Sequence, residues 1–84
     1  MRLGVVCGLV AEARIAAAAG LDAHDCGGDV ARAARATRSL IENGATLIVS
    51  FGLAGRLDRA LGPSALVVAD AVRDGLVRYD LDPA

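Results

Sequence analysis

Two apolar runs that each stop at a glycine-bearing turn do most to limit what this chain can become. Leu3 to Cys7 reads LGVVC and meets Gly8; Leu47 to Ser50 reads LIVS and passes through Phe51 into Gly52, Leu53, Ala54 and Gly55. Short continuous apolar runs bounded by turn signals are the pattern of strands buried on both faces, as in parallel sheets covered by helices. Between them the pattern is helical. From Val10 to Ala19 alanine dominates, and Gly20 is a natural stop. Leu21 to Cys26 fits a short strand. Asp29 is a suitable N-cap for a helix running to about Glu42, with Asn43 and Gly44 as its end. After the Gly62-Pro63 turn, Ala65 to Val72 (ALVVADAV) predicts a third strand, and Leu76 to Tyr79 a fourth beyond Asp74-Gly75. This alternation predicts an α/β fold with parallel strands and right-handed crossovers.

The chain has 84 residues, enough for one small domain over 1–84 that buries roughly 60–70% of its unfolded surface. Hydrophobic residues make up 55% and aromatics only 2%. The expected core is therefore built from Ala, Val, Leu and Ile, with Phe51 and Tyr79 as its only large rings. In the second helix Val30, Ala33, Ala34, Thr37 and Ile41 share the spacing of one buried stripe, while Arg32, Arg35 and Arg38 lie toward water, Arg38 near Glu42.

Nine basic residues, all arginine, against ten acidic ones give a net charge of -1, which argues against a nucleic-acid or anionic-membrane footprint. Cys7 and Cys26 read as free thiols of a cytoplasmic protein. With only His24 beside them as a strong ligand, they fall short of the four that structural zinc wants. Glu12 and Arg14 interrupt the apolar start, so a helix following a strand fits better than a signal segment, and no apolar stretch is long enough to span a bilayer.

In an open parallel sheet, ligands sit beyond the carboxyl ends of the strands, where both glycine turns fall. Backbone N–H groups freed there can cradle a phosphate or a ribose oxygen. The first turn, CGLVAEA, lacks the spaced triple glycine of dinucleotide folds, and without lysine no P-loop is possible.

The stretch SFGLAGRLDRALGPSALVVADAV resembles the strand, G-x-A-G-G-L turn and P-G-D-L-V-V approach of the purine/uridine phosphorylase superfamily of nucleoside phosphorylases and nucleosidases. VVCGLVAEARIA and GGDVARAA are further similar to one branch, the hopanoid-associated phosphorylase-like proteins. The resemblance covers nearly the whole chain in order. It implies the N-terminal part of a three-layer α/β/α nucleoside phosphorylase-like fold with a mainly parallel sheet. It also implies cleavage of the N-glycosidic bond of an adenine nucleoside with a bulky 5′ group, adenosylhopane in that branch, with no cofactor. Gly8 would lie in the loop approaching phosphate or the attacking water. Ser50, Phe51, Gly52, Leu53, Ala54 and Gly55 would line the ribose and base side of the pocket. Glu12 would be the base that activates water. Without a gap, Glu12 falls one position before the family's catalytic glutamate, and Ala13 takes its place. On a helix one position is about 100° of rotation, so that role requires the Glu12 face to turn toward the glycines; otherwise Glu12 is a solvated carboxylate or a partner of Arg14.

The sequence also departs from the family. Arg56 stands where a second glycine is usual, a costly substitution if the turn needs positive φ there. Ser50 replaces a phosphate-binding arginine, which favours water over phosphate as nucleophile. The family's later motifs, a glutamate for the ribose hydroxyls and an aspartate that protonates the departing purine, are absent from these residues. The expectation is a portion of such an enzyme, inactive alone, whose partners are a small-molecule nucleoside and either further copies of itself or a missing C-terminal portion. Two alternatives stand beside it: a non-catalytic interaction module or degenerate remnant pairing through an exposed sheet edge, and a free-standing nucleotide or phosphate binder.

Overall fold

The computed structural model describes residues 2–82, in two compact units, one through Ala54 and one from Gly55. The first unit holds β1 (Leu3–Cys7), α1 (Val10–Ala18), β2 (Asp22–Asp25), α2 (Val30–Glu42) and β3 (Leu47–Phe51). Its sheet is parallel with strand order β2-β1-β3. It is thus a small mixed α/β domain.

Both helices end alike. After α1, Gly20 at φ 84° lets its own N–H reach Ala17 O at 2.9 Å and the Leu21 N–H reach Ala16 O at 3.1 Å. After α2, Gly44 at φ 98° does the same, with Gly44 N–H to Ile41 O at 3.0 Å and Ala45 N–H to Leu40 O at 2.9 Å. These paired bonds satisfy the last carbonyls and require a left-handed residue that glycine adopts freely. The α2 start is as its sequence predicts: Asp29 Oδ1 accepts from the Ala31 and Arg32 N–H groups at 2.8 and 3.3 Å.

The helices lie on opposite faces of the sheet. On one face Val5 and Cys7 pack with Ala16 of α1, flanked by Ala13, Leu21 and Ala23. On the other, Leu40 of α2 is fully buried over Gly4, where an added Cβ would lie 3.0 Å from both Leu40 methyl carbons. Opposite faces are what right-handed crossovers demand when the chain moves from β1 outward to β2 and then back across β1 to β3.

Several expectations are corrected here. The α2 stripe is not buried as its spacing predicts: Val30 is 86% and Ile41 56% exposed. Leu40, one position beside the stripe, is the buried residue, because the branched side chain that fits above Gly4 decides the rotation of the helix. Ala33 and Thr37 are half-buried at the margin of that contact. Phe51 and Tyr79 are both exposed and take no part in the core. No Arg38–Glu42 ion pair forms among the described residues; Arg32 instead reaches Asp25 at 3.4 Å.

In the second unit the expected strand over Ala65 to Val72 does not form as such. Residues 65–69 take no regular secondary structure, and Leu66 and Val68 are exposed. Only β4 (Ala71–Asp74) forms, pairing antiparallel with β5 (Val77–Asp80) through the two-residue loop Gly75-Leu76, with Gly75 at φ 59°. Positive φ at the first loop residue matches the twist of a tight hairpin. An aliphatic run becomes a strand only where a neighbour supplies hydrogen bonds and a face to bury, and within this unit the hairpin offers residues 65–69 neither. Among the described residues, no helix is long and apolar enough to cross a membrane.

Candidate active site

The strand order β2-β1-β3 reverses direction at β1, so the carboxyl ends of β1 and β3 flank a topological switch point, where open α/β sheets leave a crevice. The register Cys7↔Phe51 brings the two glycine turns level. An open cleft of about 440 Å³ lies there, lined by Gly8, Leu9, Glu12, Ser50, Phe51, Gly52 and Leu53.

Glu12 organises it. Sitting in the first turn of α1, its Oε1 accepts the Leu9 N–H at 3.1 Å, and its Oε2 accepts the Leu53 N–H at 2.8 Å from across the sheet. The first bond is half of a capping box: a glutamate at the third helical position reaches back to the helix start, while leucine at the cap has no oxygen to return the favour. The second bond ties the β1–α1 loop to the turn after β3. Glu12 is only 8% exposed. It is neither a solvated helix carboxylate nor a partner of Arg14, and both of those alternatives are set aside.

The reason for glycine at position 52 is now plain. Gly52 has no positive φ; an added Cβ would stand 2.7 Å from Glu12 Oε2 and 3.0 Å from Cδ and Oε1. Close approach of the carboxylate, and not backbone conformation, requires the missing side chain. Gly8 is less constrained, its added Cβ meeting Glu12 Oε1 at 4.0 Å.

The structure brings Gly8, Glu12, Ser50, Phe51, Gly52 and Leu53 together. Ala54 does not line the cleft, and Gly55 begins the second unit. Leu9 was not singled out from the sequence; the glutamate three residues after it was the available signal. The concern over Arg56 also dissolves, because no described non-glycine residue has positive φ, and the Arg56 guanidinium donates to Leu61 O at 2.9 Å.

Behind the cleft the two cysteines are free and buried. The Cys26 thiol donates to Cys7 O at 3.1 Å, and the Cys26 N–H reaches the same oxygen at 2.8 Å. Burial first, and then the nearby Glu12, Cys26 and Asp25, push the Cys7 thiol above its ordinary value. Cys7 is therefore a poor nucleophile at neutral pH. Among the described residues no group of three His, Cys, Asp or Glu side chains is placed to hold a metal ion.

Chemically, the cleft offers one fixed carboxylate, one serine hydroxyl, an exposed aromatic ring at Phe51 and a flat glycine turn. No protein-family model, no curated protein and no solved structure matches this chain.

Proposed function

We propose that this chain supplies the sugar-facing wall of an N-glycosidic bond-cleaving site of the purine/uridine phosphorylase superfamily, in its hopanoid-associated branch, acting on an adenine nucleoside with a bulky 5′ group. One observation carries the reading: Glu12, one position before the place of the family's catalytic glutamate, is fixed over the Gly52 turn inside the switch-point cleft.

In this reading a water enters beside Glu12 and donates a hydrogen bond to a carboxylate lone pair that the Leu9 and Leu53 N–H groups leave free. As the bond between the sugar's anomeric carbon and adenine opens, the water oxygen bonds to that carbon and its proton passes to Glu12. The electron pair of the broken bond leaves with adenine, which then requires a proton from an acid. No acid other than Glu12 lines the cleft, so the 84 residues by themselves are proposed to be inactive.

The test measures adenine release from adenosine and 5′-substituted adenosines by the purified chain, alongside ¹H–¹⁵N spectra recorded with adenosine. The expected result is no turnover, with amide shifts confined to Gly8, Leu9 and Ser50 to Leu53. Turnover that disappears in Gly52→Val would overturn the inactivity; absence of shifts at the cleft would overturn the reading itself.

A second reading, an interaction module, is favoured by β3 ending the sheet with an uncharged edge and by the exposed Val30 and Ile41 on α2. Size-exclusion chromatography with light scattering separates the module from a degenerate remnant: a monodisperse oligomer supports the module, and insoluble or molten material supports the remnant.

A further inference from the structure

The switch-point cleft contains a carboxylate and no cation, since none of its lining residues is basic. The backbone donors an anion would use at such a place are the N–H groups at the start of α1 and after β3. Two of them, Leu9 and Leu53, already point at Glu12, at 3.1 and 2.8 Å. Gly52 packs its backbone beneath that carboxylate so closely that a Cβ would stand 2.7 Å from it. The anion position is therefore filled by a group of the chain itself.

We propose that Glu12 acts as a built-in anion that selects cleft ligands by charge. Uncharged, hydroxyl-bearing groups such as a ribosyl ring and water are admitted, and inorganic phosphate and other anions are rejected. The inference rests on the cleft reading above and deepens it by naming the class of ligand and of nucleophile. Two effects act in the same direction. A second anion would meet Glu12 at short range, where like charges repel, and it would find these two amide donors already engaged. A hydroxyl meets neither obstacle, because it can donate to the remaining carboxylate lone pairs.

The experiment is a titration of the ¹⁵N-labelled chain with inorganic phosphate, following the amides of Gly8, Leu9, Gly52 and Leu53. These signals should stay still in the wild type and move in Glu12→Gln, with apparent phosphate affinity rising about tenfold or more once the charge is removed. Glu12→Ala is the second variant, because a glutamine side chain must turn an N–H toward one of the two donors. Wild-type signals that move with phosphate overturn the proposal, as do signals that stay still in both variants. Adenine release plays no part in this readout. Failure to bind adenosine therefore refutes the glycosidase reading alone, and phosphate binding by the wild type refutes the charge selection alone.

Discussion

Substituting Gly52 with alanine tests the central contact of the site. The added methyl carbon would stand 2.7 Å from Glu12 Oε2 and 3.0 Å from Cδ and Oε1, well inside contact distance. A glutamate side chain can swing aside, so the penalty is not the collision itself but the bonds forfeited by moving, those to the Leu9 and Leu53 N–H groups. Both bonds run to a carboxylate and are part-buried; at the low end for a charged acceptor each is worth about 1.5 kcal/mol net, so Gly52→Ala should cost about 3 kcal/mol. The assay is urea denaturation followed by circular dichroism, on four proteins: wild type, Gly52→Ala, Glu12→Ala and the double variant. If the methyl acts through the carboxylate, its cost in the Glu12→Ala background should fall below about 0.5 kcal/mol, the range of an inconsequential substitution. A cost of about 3 kcal/mol persisting without Glu12, or no cost in the wild-type background, refutes the argument. Gly8→Ala is the control, since its methyl would meet Glu12 only at 4.0 Å and should be tolerated.

Three further outcomes are expected. Asp29→Ala removes the side-chain oxygen that accepts from Ala31 and Arg32 and should destabilise the fold by about 1 kcal/mol in the same denaturation assay. Gly4→Ala places a methyl 3.0 Å from both Leu40 methyl carbons and 3.2 Å from Ile48 Cδ1; overpacking should cost about 1–3 kcal/mol, with partial recovery in Gly4→Ala/Leu40→Val. Because burial raises the Cys7 thiol above its ordinary value, its contribution to stability is fully present below the unfolded thiol's pKa and is lost as pH rises through the higher folded value. Denaturation midpoints of the wild type should therefore fall more steeply above about pH 8.5 than those of Cys7→Ala, and equal slopes would count against the shift.

The contrast between the helices and the strands shows what each level of description carries. Asp29, Gly20 and Gly44 are local instructions: a side-chain cap and two left-handed stops act on the backbone within a few residues, so both helix ends could be read directly from the sequence. Leu3 to Cys7 and Leu47 to Ser50 were legible for a related reason, since aliphatic runs that short have few uses except as strands covered on both faces. The run over Ala65 to Val72 has the same composition and failed as a strand, because a strand's stability lies in its neighbour and composition does not name one.

The same division runs through the candidate site. Sequence identified Gly8, Glu12 and the turn from Ser50 onward as chemically suggestive, through residue type and position after a strand. It left the direction of Glu12 open, since one residue of rotation would turn the carboxylate from the cleft to water. Tertiary structure decided that question through strand order. Placing β1 between β2 and β3 sets two turns, more than forty positions apart in the chain, side by side, and the missing side chain at Gly52 leaves room for the carboxylate. The rotation of α2 was decided in the same way, by the fit of Leu40 above Gly4 and not by the helix's own apolar stripe. Local conformation was thus set by short-range backbone chemistry already present in the sequence, whereas side-chain direction was set by long-range packing, which exists only once the sheet has formed.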